Sequence, residues 1–444
     1  MDAPETIRLL APTANARGGL FTQLMKDLFF ALGYDDLRLN VHKTGRELDI
    51  QGQHRFENRR VVAECKAHDT KMGGAELNKF LGVLTRERKK AEASPVSGYF
   101  VSLSGFTESA IEQEKESGED CIITLTARQV IDQLEKSRVV IALPAACERS
   151  GQCAQHNALA DVHIEGAELL GHKLGYMWAV YFSQGKEPTH FTLIHADGTP
   201  LANLVAKDVV AADRKCGGLL HSLQYLAPPA PAASEAKWAD AAKARYLAWL
   251  EVECGFIQLD GLPADTDLSA TRMKLERLFV PLKAVLLRES DDHRQIRKKE
   301  KDKVRPVGNI LSKAARVAIL AAPGGGKSTL LKRLAIAYGF PARRTEVDDA
   351  LPHREWLPLL LRCRELRDRA HRPLLELLHD LSSHAGMSDA ERAAFRQILQ
   401  EALQRGTALL LVDGLDEITE EGARRTFAAH LRTFTAVFPQ AALV

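Results

Sequence analysis

Residues 317 to 329 read Val-Ala-Ile-Leu-Ala-Ala-Pro-Gly-Gly-Gly-Lys-Ser-Thr, and residues 408 to 417 read Ala-Leu-Leu-Leu-Val-Asp-Gly-Leu-Asp-Glu. The first stretch runs from an apolar strand through a glycine turn into an amphipathic helix. Gly324, Gly325 and Gly326 let the backbone turn tightly and aim successive N–H groups at one point, and the helix start adds its positive dipole end. Pro323 to Thr329 therefore read as a phosphate-binding loop, with Lys327 reaching the β- and γ-phosphates and Ser328 ligating Mg²⁺. Ala321 stands where the full pattern has its first glycine, and it is small enough for the turn. In the second stretch Asp413 closes a short apolar strand, where it would hold the same Mg²⁺. Asp416 and Glu417 offer a carboxylate to orient an attacking water, Glu417 as the catalytic candidate. The expected fold is a P-loop NTPase with a parallel sheet, and its cofactors are ATP and Mg²⁺.

The acidic strand end, Asp413-Gly414-Leu415-Asp416-Glu417, resembles the Walker B motif of NACHT-type STAND NTPases. Trp356 to Arg362 looks like the second strand of that fold, and Leu275 to Leu282 like the segment that leads into many bacterial NACHT modules. The resemblance covers roughly residues 240 to 444, with the two nucleotide motifs as its specific part. It implies a switch that binds ATP, forms a homo-oligomer when a sensor is triggered, and so activates an effector. Ala441 to Val444 reads as the start of the next core strand. The expectation is thus the N-terminal part of the NTPase, cut short after Walker B, with the trigger protein sensed by a C-terminal region that is absent.

An effector is expected upstream. Phe21, Leu24, Met25, Leu28 and Leu32 recur at helical spacing, and Gly33 supplies the stop. Strand-like stretches follow at 45–50 and 60–66, and alternation puts Glu64 and Lys66 on one face with Cys65 on the other. Next come a helix with Leu77, Phe80, Leu81 and Leu84 on one side, a buried strand at 99–102, a strand at 122–125 and a helix bearing Val130, Ile131 and Leu134. This is an α/β unit of roughly 140 residues, an ordinary domain size.

These residues resemble the Mrr-like branch of the PD-(D/E)XK nucleases. Asp49 matches the motif's aspartate, Glu64-x-Lys66 its E-x-K, and Gly98 to Ala110 the strand and helix that follow. The resemblance implies Mg²⁺ held by Asp49, Glu64 and the Cys65 carbonyl, with Lys66 orienting water or neutralising charge. Family members often carry a Glu on the first helix near Thr22 or Gln23, and neither position is acidic here. Arg86, Arg88, Lys89 and Lys90, with Lys71 and Lys79, are the candidates for contacting phosphates of double-stranded DNA.

Net charge is +2 over 444 residues, so any nucleic-acid surface is local rather than global. No stretch approaches a membrane span or a signal peptide. Seven cysteines, odd in number and scattered, suit reduced thiols and a cytoplasmic location. The spacing of Cys147, Cys153, His156 and His163 matches no standard zinc finger. Tyr176 to Leu201 suggests a small β element with a turn at Asp197-Gly198, residues 227–234 a Pro/Ala linker, and 236–256 a helix. The charge run at 288–305 reads as a solvated face.

The expected order is a nuclease domain at 1–140, a small β/helical region at 141–235, a helical lead-in at 236–305 and an incomplete P-loop NTPase at 306–444. The combined expectation is an antiphage defence protein in which ATP-driven assembly licenses DNA cleavage. Two alternatives stand beside it: an ATP-dependent restriction endonuclease, and a signalling scaffold whose nuclease fold is catalytically inactive.

Overall fold

The computed structural model describes residues 6–43, 46–55, 57–67, 70–90, 95–116, 122–159, 162–185, 187–229, 233–257, 273–285 and 304–444. The chain divides into two compact units, Met1–Ala230 and Pro231–Val444.

The first unit holds two sheets. One has the order β2-β3-β4-β5-β6, from β2 (Tyr34–Lys43), β3 (Arg46–His54), β4 (Arg60–Lys66), β5 (Val96–Ser102) and β6 (Ile123–Thr126). Strand β3 runs antiparallel to both β2 and β4, and β4, β5 and β6 run parallel. Helix α2 (Gly74–Lys90) packs Leu77, Phe80 and Leu84 against Val62, Phe100 and Phe106. Because side chains alternate along β5, Tyr99 faces the other way from Phe100. There it meets Phe29 of α1 (Ala14–Ala31) edge to face, with ring centroids 5.2 Å apart. The Thr13 hydroxyl accepts the Ala16 N–H at 3.2 Å and so caps α1. Helix α3 (Glu108–Glu116) follows β5, and α4 (Ala127–Lys136) follows β6.

The second sheet has the order β1-β7-β8-β9-β10. Strands β7 (His163–His172), β8 (Gly175–Ser183) and β9 (Pro188–His195) form an antiparallel meander. It is flanked in sequence by α5 (Leu143–His156) and α6 (Asn203–Lys215). Two short strands join its edges in parallel: β10 (Gln224–Tyr225) beside β9, and β1 (Ile7–Leu9) beside β7. The pairing of Ile7 with Leu169 crosses the boundary expected at residue 140. Arg8 fixes this register. Its guanidinium grips Glu168 at 2.9 and 2.7 Å and forms an ion pair with the buried Asp213 at 2.6 Å.

Helix α1 also meets the meander. The buried Tyr176 hydroxyl donates to Asp27 Oδ2 at 2.9 Å, and Gln23 Nε2 donates to Asp27 Oδ1 at 2.8 Å. Burial, together with Asp27's charge and hydrogen bond, raises the Tyr176 pKa, so the phenol stays protonated and donates. Tyr176→Phe removes one donor from a buried carboxylate, a change that costs about 1–3 kcal/mol. We expect the melting temperature of the first unit to fall by several degrees. A melting curve that superimposes on the wild type would deny this contact its role.

The phosphate-loop unit occupies the C-terminal half of the chain. Its parallel strands Leu357–Arg362, Ala408–Asp413 and Ala442–Leu443 stand in that order. The apolar strand expected at 317–321 forms only at its start. Arg316 bridges Leu443, and the Val317 N–H bonds the Leu443 carbonyl at 2.9 Å. Val317 and Ile319 face the core, whereas Leu320 is 86% exposed, so this segment is covered on one side only. Helix α7 (Ala233–Cys254) fills the place of the helix expected at 236–256, and Tyr246 on it donates to the Pro358 carbonyl at 2.9 Å. Of the charge run at 288–305, residues 288–303 lie outside the described residues. Val304 and Arg305 belong to a short strand paired with Lys283–Val285. Among the described residues no helix is long and apolar enough to cross a membrane.

Candidate active sites

In the second unit, the glycine turn aims the loop. Gly324 and Gly326 adopt φ of +77° and +79°, a left-handed conformation that side chains disfavour. The P-loop helix, Lys327–Gly339, starts directly after Gly326. Lys327 Nζ donates to the Ala321 carbonyl at 2.8 Å and the Ala322 carbonyl at 3.3 Å, which keeps the ammonium at the loop's mouth. Ser328 Oγ donates to Asp413 Oδ1 at 2.9 Å and joins the two motifs directly. Pro323 and Gly325, both exposed, complete the turn, and Thr329 lies in the first turn of the helix.

Asp413 ends its strand half-buried, opposite Arg362 in the ladder. Gly414 then turns with φ of +76°, and any Cβ there would lie 2.6 Å from Glu417 Oε2. The positive φ is what favours glycine here, and a larger residue would also push the flexible Glu417 carboxylate aside. Asp416 and Glu417 are exposed on the short turn Leu415–Glu417. Their charge registers at Cys363, whose thiol is pushed up to about 12 by burial and then by Asp413, Glu417 and Asp416. Asp413 thus closes its strand in contact with Ser328 of the loop, and Asp416 and Glu417 follow on the turn just beyond it. A hydroxyl and a carboxylate in contact match the one or two protein oxygens that Mg²⁺ takes beside phosphates and waters.

The first unit has its own carboxylate pair. The β3–β4 ladder ends at the pair Ile50 and Ala63. Just beyond, Asp49 Oδ2 accepts the Cys65 N–H at 2.7 Å and takes the place of a ladder bond. Glu64 and Lys66 project on one side of β4 and form an ion pair at 2.6 Å, both partly exposed. Burial opposes the charge on Lys66, but the hydrogen bond and charge of Glu64, with Asp49 and Cys65, outweigh it and raise its pKa. Lys66 is therefore a cation at neutral pH, suited to neutralising charge rather than taking a proton. Cys65 is buried on the other side, and burial, then Asp49 and Glu64, raise its thiol well above the usual range. The thiol is inert, which leaves only the backbone of Cys65 as a candidate ligand.

Among the described residues no group of three or more His, Cys, Asp or Glu gathers to hold a metal ion. Cys147, Cys153 and His156 lie on α5, and His163 begins β7. A pair of carboxylates still fits Mg²⁺, which keeps most of its water shell. Helix α1 contributes no carboxylate at Thr22 or Gln23, and Gln23 is engaged with Asp27. Of the basic candidates, Lys71, Lys79, Arg86, Lys89 and Lys90 are exposed, while Arg88 donates to the Val96 carbonyl at 3.2 Å and anchors β5.

Residues 14–134 match the Mrr catalytic family, described as a restriction endonuclease, and residues 315–442 match the NACHT domain. The chain joins an Mrr-type restriction endonuclease domain to a NACHT domain. Comparison with curated proteins finds no match. A solved structure titled "Crystal Structure of Protein of Unknown Function AF1548" aligns at 16% identity, over 32% of this chain and 78% of that chain, with a TM-score of 0.22.

The NACHT domain holds one feature that motif reading passed over. Arg333, on the P-loop helix, is fully buried and bonds Asp349 at 2.8 Å and the Arg343 and Arg344 carbonyls. Arg343 in turn grips Glu276 at 2.9 and 2.7 Å and Glu251 at 2.8 Å. Glu276 lies on α8 (Leu275–Leu278) and Glu251 on α7, so the lead-in helices are wired to the helix that follows the phosphate loop. The signal was present in Leu330-Leu331-Lys332-Arg333-Leu334, where a charge interrupts an apolar face.

Proposed function

We propose that this protein is a nucleotide-controlled endonuclease of antiphage defence. In this reading residues 1–140 are the DNA-cutting effector and 141–235 its support, 236–305 the lead-in and 306–444 the ATP switch. ATP-driven assembly into a homo-oligomer, set off by a sensed trigger protein, would bring nuclease domains together on double-stranded DNA in the cytoplasm. The observation that carries the reading is one chain with two carboxylate-bearing sites. In one, Ser328 and Asp413 are in contact beneath a phosphate loop. In the other, Asp49 and Glu64 flank a charged Lys66.

The residues divide the chemistry as follows. Bound Mg²⁺ polarises a phosphodiester and lowers the pKa of a water. Asp49, Glu64 and the Cys65 carbonyl would hold the ion, and Lys66 would offset the negative charge that grows as the bond breaks. In the switch, the N–H groups of residues 323–329 and the Lys327 ammonium bind phosphates. Ser328 and Asp413 would hold a Mg²⁺ ion beside the phosphates, and Asp416 and Glu417 would align the attacking water.

Removing the ammonium in Lys327→Ala takes away a charged hydrogen bond of about 1.5–3 kcal/mol, roughly ten- to hundredfold in ATP affinity. Calorimetric titration with ATP checks this, and the same protein should have lost DNA cleavage. Full cleavage by Lys327→Ala without nucleotide would break the switch. A second reading, a signalling scaffold with a silent nuclease fold, is favoured by the missing acid at Thr22 and Gln23. An assembled, ATP-bound sample that leaves DNA intact with Mg²⁺ present would select it.

A further inference from the structure

The sheet of β1 and β7 to β10 carries a groove of ≈ 790 Å³ between α6 and the β9–β10 edge. That size lies within the range of sites for small ligands. Its floor is apolar, built by Val210, Leu223 and the Phe191–Tyr225 ring pair, whose centroids are 5.3 Å apart. Its rim carries Lys207, Arg214, Lys215 and His221, and none of the described residues that line it is acidic. Among the described residues no carboxylate pairs with the three rim cations of α6. Lys207 and Arg214 are seven residues apart and share a helix face. Lys215 lies about 12 Å from Lys207 along the axis.

A chain with net charge of only +2 thus gathers cations around one apolar hollow. Protein surfaces usually intersperse both signs. An unbalanced rim over an apolar floor selects an anion with an apolar body. The partly exposed Tyr225 ring offers a wall for stacking a base, and Asn203 at the rim can donate to and accept from a base edge. We propose that this groove binds the nucleotide unit, a phosphate joined to a flat base, either free or within a single strand. Its lining includes no residue of the phosphate loop and neither Asp49 nor Glu64, so the proposal stands whether or not either of those acts as proposed.

The test uses the full chain carrying Lys327→Ala, without Mg²⁺, so that neither the switch nor cleavage intervenes. Two probes are titrated by fluorescence anisotropy: labelled AMP and a labelled twelve-residue oligothymidylate. At least one should bind, and Lys207→Glu/Arg214→Glu should weaken it at least tenfold. Ala211→Trp, at an exposed position in the groove, should weaken it similarly by filling the space while leaving the melting temperature unchanged. Loss confined to AMP identifies a free nucleotide, and loss confined to the oligomer identifies a strand. Wild-type binding of neither probe, or equal binding by the variants, overturns the proposal.

Discussion

On the proposed function, Glu64→Ala should slow Mg²⁺-dependent cleavage of double-stranded DNA by roughly 10²–10³-fold, the loss expected when one preorganised electrostatic group leaves an active site. Two effects add. The proposed Mg²⁺ site would lose one of its two carboxylates, and Lys66 would lose the partner at 2.6 Å that positions its ammonium. Glu64 and Lys66 are partly exposed, so the pair contributes about 0–1 kcal/mol to stability, and the melting temperature should barely move. Lys66→Ala should slow cleavage comparably, because a neutral side chain cannot offset the charge of the breaking bond. Initial rates on supercoiled plasmid, with ATP present and equal protein concentrations, make the comparison. Wild-type rates in Glu64→Ala would remove these residues from the chemistry, however well the protein folds.

Glu276→Ala is the second large effect, and it acts on stability. Glu276 is buried between two arginines, 2.7 Å from Arg343 and 3.8 Å from Arg333. Deleting it leaves two buried guanidinium groups short of negative charge, which costs about 3–5 kcal/mol. For a unit of this size that lowers the melting temperature by roughly 6–20 °C. The exposed pair of Glu421 and Arg425 is the contrast, since Glu421→Ala should change stability by under about 1 kcal/mol. Scanning calorimetry distinguishes the two. A shift of Glu276→Ala no larger than that of Glu421→Ala would mean the network carries no weight.

What could be read beforehand follows from how local each signal is. The phosphate loop, the acidic strand end, α1 and β4 each announce themselves within a dozen residues. Glycine torsions and alternation act over that same distance. Strand β2 escaped notice because its pattern breaks twice. Asp36 and Asn40 take φ of 50°, and the register shifts between Asp35 and Arg38. Strand β1 escaped because three residues give no period, and its partner lies 160 positions away, as the Arg8–Glu168 bond shows. The groove on α6 needed the fold itself, since its rim cations acquire meaning only when Tyr225 and Phe191 stand opposite. Residues 317–321 misled in the other direction. Their apolar run suggests a buried strand, yet Leu320 faces outward.

The pairing of Ile7–Leu9 with Leu169–Gly171 makes the nuclease an excursion from the meander rather than a bead hung before it. The polypeptide passes through β1 of the second sheet, leaves to build the nuclease domain, and returns to the same sheet. Both ends of the nuclease are thereby stapled to one platform, with Arg8 clasping the outgoing end and Trp178 holding the Ile141 carbonyl at 2.9 Å on the return. On the proposed function, a domain so moored would be licensed not by swinging on a tether but by moving or pairing the platform as a whole. The smallest piece worth purifying therefore ends near residue 230, because a cut at 140 strips β1 of its neighbour and Asp27 of Tyr176.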